Sequence, residues 1–216
     1  MRYFIELRYD GAAYCGWQRQ PDMPTVQQTI EDALTKLLRT PTEIVGAGRT
    51  DTGVNASYYV AHFDSAIEED CKQLLYKLNM MLPKDIALFS VTPVADDAHA
   101  RFDARQREYR YYICPTKNPF RRYSAWLYYV PLDVEKMNRA AAKLLEYDDF
   151  TSFAKLNSNN KTNICHISCI FSIFSTTDTC FKFNAYFLID FNHNIFNFLF
   201  GQTITRRHEI ISTDKE

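Results

Sequence analysis

The spacing of apolar residues alternates between two periods along this chain, and this pattern constrains its fold more than any other sequence feature. In Arg2–Tyr9 every second residue is apolar or aromatic, which is typical of a half-buried strand. In Thr25–Arg39 apolar residues recur at every third or fourth position behind a Thr25/Gln28 capping box, so this segment is predicted to be an amphipathic helix. The same reasoning predicts strands over Glu43–Gly46, Ala56–Phe63, Ile86–Val94, Arg105–Ile113, Asn163–Phe174 and Phe181–Ile189, and helices over Glu68–Leu82 and Asp133–Tyr147.

The order strand–helix–strand occurs in both halves of the chain and favours an α+β fold. We expect two similar ferredoxin-like units with mainly antiparallel sheets flanked by helices. A length of 216 residues is enough for two such units, each with its own core. The boundary is predicted near Ala95–Ala104, with an N-terminal unit at residues 1–96 and a C-terminal unit at 103–216.

A glycine-rich segment, Gly46–Val54, joins two of the predicted strands and contains Arg49 and Asp51. In an extended segment residues i and i+2 project to one side, where a guanidinium can pair with a carboxylate and keep it ionised. An ionised carboxylate on such a loop is a candidate nucleophile or general base. The residue types alone also allow an ordinary turn, with Asp51 bonding its own backbone and Arg49 in a surface ion pair.

Positive charge is concentrated in one region, although the whole chain has a net charge of −1. From Arg101 to Arg122 there are seven basic and two acidic residues, a local net charge of +5. Arg105, Arg107 and Tyr109 alternate with other residues and therefore share a strand face, which suits phosphate contacts and base stacking. A solvated strand face is the alternative. In the loop after the first strand, Trp17 is explained equally well by an external contact or by packing under the loop.

Several other classes of protein are disfavoured. No secretory signal and no apolar run of membrane-spanning length is visible. The six cysteines have no regular spacing, which predicts reduced thiols and a cytoplasmic protein. Cys165 and Cys169 would lie about 13 Å apart on a strand, too far to share a zinc ion. We therefore predict no metal site.

The motif Gly48-Arg49-Thr50-Asp51-Thr52-Gly53-Val54 closely resembles the GRTDAGV signature of the tRNA pseudouridine synthase A family. The resemblance extends over about residues 1–167 because other family motifs follow in the same order. These are Tyr9-Asp10-Gly11, Gly16-Trp17-Gln18-Arg19-Gln20, Thr25-Val26-Gln27, Leu82-Pro83-Lys84-Asp85-Ile86, His99-Ala100-Arg101-Phe102, Glu108-Tyr109-Arg110-Tyr111 and Asp149-Phe150-Thr151-Ser152-Phe153.

The resemblance implies the pseudouridine synthase fold and an isomerase that converts uridine to pseudouridine in the tRNA anticodon stem-loop without a cofactor. It implies that Asp51 is the nucleophile, attacking a flipped-out uridine at C6 or C1′, and that Arg49 pairs with Asp51 and helps to hold the nucleotide. It implies that Tyr109 packs on the target base. Its family partners are tRNA and a second copy of the chain, in a homodimer. The candidate RNA contacts are Arg19, Arg101, Arg105, Arg107 and Arg110.

This chain departs from the family pattern at two places. Asn55 stands where the family usually has histidine, and a modest effect is expected because asparagine also forms hydrogen bonds. Phe191, Asn192 and His193 stand where the family has Met, Val and an arginine of the active-site wall. A C-terminal truncation or frameshift would explain the second departure and leave the C-terminal unit incomplete. The alternative function is therefore a catalytically impaired or inactive RNA-binding derivative of the same family.

Overall fold

The computed structural model describes residues 1–104, 106–153, 164, 167–174, 181–187 and 208–213. The chain divides into two compact units, Met1–Ala104 with Glu209–Glu216, and Arg105–His208. In chain order the regular elements are β1 (Arg2–Tyr9), α1 (Val26–Leu38), β2 (Ile44–Gly46), β3 (Asn55–Asp64), α2 (Cys71–Met81), β4 (Ile86–Val94), β5 (Gln106–Cys114), β6 (Trp126–Leu127), α3 (Val134–Leu144), β7 (Ile167–Phe174), β8 (Phe181–Phe187) and β9 (His208–Thr213).

The sheet of the first unit has the strand order β4-β1-β3-β9. β1 is antiparallel to both β3 and β4, and β2 is antiparallel to the later part of β3. β9 is parallel to the first part of β3, with Asn55 opposite Glu209 and Tyr58 opposite Ile211. In the second unit β5 lies antiparallel to β8, and β8 antiparallel to β7, while β6 pairs in parallel with the end of β5. The predicted α+β class with mainly antiparallel pairing is therefore confirmed.

The two helices of the first unit cover one face of its sheet. The alternation predicted for β1 is present, since Tyr3, Ile5 and Leu7 are buried. They form one apolar core with residues of α1 and α2, among them Leu34 and Leu78. This core fixes β1 and β3, the strands on which the glycine-rich segment depends.

Side-chain caps determine where the helices begin. Thr25 accepts a hydrogen bond from the Gln28 N–H at 3.3 Å, as predicted for the start of α1. α2 begins at Cys71 rather than at the predicted Glu68, because the Asp70 carboxylate accepts from the N–H groups of Lys72 and Gln73. Asp133 caps α3 in the same way through Lys136 N–H.

The later strand predictions are met in part. β7 and β8 fall inside the predicted segments, whose outer residues Asn163, Leu188 and Ile189 lie outside the described residues. β6 and β9 were not predicted. β6 has only two residues, too few to show any period, and β9 depends on pairing with a strand about 150 residues earlier.

The structure also bears on the expectations for membrane spans and for the cysteines. Among the described residues, no helix is both long enough and apolar enough to cross a membrane. Cys15 and Cys71 are free thiols, but Cys114 is disulfide-bonded. The prediction of reduced cysteines is therefore wrong for Cys114, because spacing in the sequence does not reveal which sulfur atoms the fold brings together.

Candidate active site

Asp51 lies on the connection between β2 and β3, in a turn that ends just before β3 begins. The Val54 N–H donates to the Asp51 carbonyl at 3.2 Å, and Gly53 has a φ of +78°. Thr50 is buried, whereas its neighbours Arg49 and Asp51 are exposed. The predicted alternation is therefore present, and both charged side chains are on the solvent side of the segment.

The loop after β1 holds this turn through the backbone. Trp17 N–H donates to the Thr50 carbonyl at 3.2 Å, and Gly53 N–H donates to the Tyr14 carbonyl at 3.1 Å. Gly16 makes this approach possible because its φ is +88° and a Cβ atom there would lie 2.2 Å from the Thr50 oxygen. The two loops therefore support each other on both sides of Asp51.

An aromatic cluster lies beneath the turn. The Trp17 and Tyr59 rings are 4.2 Å apart between centroids, and both are buried. The Tyr59 hydroxyl accepts from Gly48 N–H at 3.2 Å and donates to the Gly48 carbonyl. The hydroxyls of Tyr9 and Thr50 share a hydrogen bond of 3.1 Å. Of the two explanations left open for Trp17, the structure shows packing under the loop.

A second group of contacts fixes the outer part of the same loop. The Tyr14 hydroxyl donates to the Asp85 carboxylate at 2.8 Å, and Asp10 N–H donates to the Asp85 carbonyl at 2.8 Å. Burial, together with the neighbouring Asp85 carboxylate, raises the pKa of Tyr14 above its usual range, so the hydroxyl stays protonated and keeps donating. Asn55 accepts from Gly11 N–H at 2.8 Å, which gives this departure from the family pattern a defined structural role.

Sequence reasoning missed the supporting roles of Tyr14, Tyr59 and Asp85, and of Asn55 it expected only that it can form hydrogen bonds. Only Asp85 and Asn55 lie in or beside a recognised motif, which was the one available signal. The contacts of Tyr14 with Asp85 and of Tyr59 with Gly48 join residues 71 and 11 positions apart, so local patterns do not reveal them.

The predicted pair between Arg49 and Asp51 is not present. Within the described part of the chain, the structure records no hydrogen bond or ion pair of the Arg49 side chain. An ion pair between exposed groups contributes only about 0–1 kcal/mol, which is too little to hold a long side chain in one position. Arg49 and Asp51 are both exposed, as expected for residues on one side of the segment, but the predicted contact between them is not present.

The predicted RNA-contact arginines differ in how they are held. Arg19 is 58% exposed and forms an ion pair of 3.3 Å with the buried Glu31 carboxylate. Arg101 is half-buried, with its guanidinium 5.9 Å from the ring centroid of Phe102. Arg105 lies outside the described residues.

In β5, residues two positions apart lie on the same strand face, as the alternation predicts. One such pair joins Arg110 to Glu108 and so reduces the exposed positive charge. Arg110 donates two hydrogen bonds to the Glu108 carboxylate, at 2.6 and 3.0 Å, because residues i and i+2 share a strand face. Arg107 is buried, with 6% of its surface exposed, and Tyr109 is half-buried. Arg107 and Arg110 therefore expose less positive charge than the sequence predicted.

The described residues contain no group of three or more His, Cys, Asp or Glu side chains that could hold a metal ion. The site around Asp51 therefore consists, in the described part of the chain, of one exposed carboxylate, one exposed guanidinium and a rigid base of backbone and aromatic contacts.

Comparison with known proteins places this chain in a family. Residues 7–103 match a family model described as tRNA pseudouridine synthase. Over 77% of its length the chain is 53% identical to tRNA pseudouridine synthase A of Bacteroides thetaiotaomicron, 51% identical to that of Azobacteroides pseudotrichonymphae, and 40% identical to that of Paraburkholderia phytofirmans.

The match covers 62%, 67% and 62% of those three relatives, so the chain spans about two thirds of their length or slightly less. The ordered motifs, the matched family model and the identities agree. The chain therefore belongs to the tRNA pseudouridine synthase A family.

Proposed function

We propose that this chain isomerises uridine to pseudouridine in the anticodon stem-loop of tRNA, with Asp51 as the nucleophile. The observation that carries the proposal is the exposed Asp51 carboxylate on a turn fixed by the buried Trp17 and Tyr59. A nucleophile gains from such a support because a misplacement of about 1 Å can cost on the order of a hundredfold in rate.

The reaction balances without a cofactor. The Asp51 carboxylate attacks the uridine at C6 or C1′, and the bond between N1 and C1′ breaks. The detached uracil rotates, and a bond forms between C5 and C1′. The proton lost from C5 is matched by the proton gained at N1, and the aspartate is released. The uridine must first leave its stack, because its reacting atoms are covered within the RNA.

Two further roles follow from the motif match. Arg49 is exposed beside Asp51 and is proposed to hold the flipped nucleotide through its phosphate, for which a guanidinium is well suited. Tyr109 is proposed to pack on the target base.

The partners and location are also proposals. The relatives are named for tRNA, so tRNA is the proposed substrate, and the proposed compartment is the cytoplasm. A homodimer is proposed by analogy with the family. Arg19, with 58% of its side chain exposed, is better supported as a tRNA contact than Arg110, with 27% exposed, or the buried Arg107. The half-buried Arg101 is also proposed as a contact.

The test uses tRNA labelled with tritium at uridine C5, whose release reports the new carbon–carbon bond. Asp51→Ala and Asp51→Asn should abolish release, a loss on the order of 10⁴-fold or more, as for removal of other nucleophiles. Asp32→Ala is the matched control, because Asp32 is an exposed carboxylate on α1 of the same unit. An active wild type with an equally active Asp51→Ala variant would show that Asp51 is not the nucleophile.

A tRNA-binding protein without catalysis is the second candidate. It is favoured by His193, which stands where the family has arginine and which is mostly neutral at pH 7. His193 lies outside the described residues. Folded wild-type protein that binds tRNA but releases no tritium would support this candidate.

A further inference from the structure

The loop between β5 and β6, residues 115–125, has a fixed shape. The Asn118 side chain accepts from Phe120 N–H at 3.0 Å, and Arg121 N–H donates to the Asn118 carbonyl at 3.1 Å. The chain then turns back, with Ala125 N–H donating to the Arg121 carbonyl at 3.0 Å. Buried Cys114 and Ala125 pack together at its base. The side chains at its tip are therefore displayed by a closed, hydrogen-bonded loop.

The tip of this loop presents aromatic rings to solvent. Phe120 is 96% exposed and Tyr123 is also exposed. The Arg122 guanidinium lies 4.3 Å from the Tyr123 ring centroid, and the Arg121 guanidinium lies 5.9 Å from that of Tyr112. Phe120 therefore contributes little to the core, and with Tyr123 it gives the loop an exposed aromatic surface that borders basic side chains.

A cleft of about 410 Å³ opens beside the loop. Three of its lining side chains are basic, Lys117, Arg121 and Arg122, and none of the described lining residues is acidic. The sequence from Tyr109 to Leu132 contains no Asp or Glu. The described lining of this cleft is therefore basic, in a chain whose net charge is −1.

We propose that this loop and cleft bind an unpaired nucleotide of the substrate tRNA, outside the Asp51 turn. Lys117, Arg121 and Arg122 contact phosphates, and Phe120 or Tyr123 stacks on a base. Charge complementarity selects a polyanion, and the exposed rings select one with unstacked bases, so RNA with a single-stranded part fits better than a duplex. This inference rests on the proposed function only for the identity of the RNA as tRNA.

The experiment measures tRNA affinity by fluorescence anisotropy at several salt concentrations. Arg122→Ala should weaken binding and lower the slope of log K against log salt by about one, which is the signature of a lost phosphate contact. Phe120→Ala should weaken binding about fivefold or more with an unchanged salt slope, because stacking releases no counterions. Arg139→Ala and Tyr147→Ala are the matched controls, since both residues are exposed and do not line the cleft.

The outcomes separate this inference from the proposed function. Weaker binding by the loop variants supports the inference even if wild-type protein forms no pseudouridine. Affinity equal to wild type in Phe120→Ala and Arg122→Ala would overturn it, whether or not the enzyme is active. A changed oligomeric state with unchanged tRNA affinity would also overturn it, because the loop would then be a surface between copies of the chain.

Discussion

The Asp51 turn and the 115–125 loop are both connections between strands, and they use aromatic residues in opposite ways. Beneath the turn, Trp17 and Tyr59 are buried and leave a single carboxylate facing solvent. On the loop, Phe120 and Tyr123 face solvent. The difference teaches that the same class of residue supports a loop when it is covered and leaves an aromatic surface open to contact when it is not.

The largest expected effect comes from crowding the turn. Gly16→Ala would place a Cβ atom 2.2 Å from the Thr50 oxygen at a φ of +88°, so a loss of about 3 kcal/mol or more in the free energy of unfolding is expected. Gly53→Ala is the matched control, because Gly53 also has a positive φ but open space around it. Its expected loss is about 1 kcal/mol. Urea unfolding measures the losses of both variants. Equal losses would contradict the claim that the close approach of Gly16 to the Thr50 carbonyl, rather than its positive φ alone, is what requires glycine there.

Removing one hydroxyl group should have the next largest effect. Tyr59→Phe leaves the Gly48 N–H and carbonyl without their shared partner, which costs about 1–3 kcal/mol. The same variant should lower kcat more than it changes KM if the turn positions Asp51. Tyr76→Phe, which removes a hydroxyl from an exposed ring, is the control. Unchanged kcat in a folded Tyr59→Phe variant would show that the contact between Tyr59 and Gly48 is not needed to position Asp51.

A pH-dependent contact in the same unit gives a smaller expected effect. Buried His62 accepts from Ala100 N–H at 3.1 Å through Nδ1, which requires a neutral ring. Burial, with the nearby Arg2 and His99, lowers its pKa from 6.5 to about 4. Between these values the unfolded chain binds more protons, so stability present above pH 6.5 is lost as pH falls, by roughly 2 kcal/mol at pH 5.

His62→Gln keeps an acceptor but cannot titrate. Unfolding free energies measured from pH 4 to 7 should therefore fall less steeply for this variant than for wild type. Parallel curves would show that His62 does not carry the effect.

The smallest expected effect concerns the other side of the comparison. Phe120→Ala and Arg122→Ala change exposed side chains, so the free energy of unfolding should stay within about 0.5 kcal/mol of wild type. Thermal melts check this directly. A larger loss would mean that the loop residues support the fold, and the contrast with the Asp51 turn would disappear.

Elements with a strong local signal were predictable from the sequence. β1 and β4 have the predicted bounds, and α1 begins at its predicted cap. The start of α2 was placed too early because acidic Glu68–Asp70 is compatible with a helix until Asp70 turns its side chain to the backbone. β9 could not be predicted, since no local pattern specifies a parallel partner so far back in the sequence.

The motif named the residues of the candidate site but not the contacts that support them. The motif indicated Asp51 and Arg49, and both are exposed on one side. Their expected contact is absent because solvent competes well with an exposed ion pair. The hydrogen bond from Tyr14 to Asp85 depends on tertiary packing, which residue spacing does not contain.

The pairing of β9 with β3 has a consequence during synthesis. The first part of β3, which follows the Asp51 turn, receives its parallel neighbour only when residues 209–211 have been made. At roughly 5–20 residues per second, the ribosome needs about 8–30 s to travel from Tyr58 to Ile211. During that interval the β9-facing backbone of Asn55–Tyr58 is an open strand edge, which can pair with other strands until β9 is made.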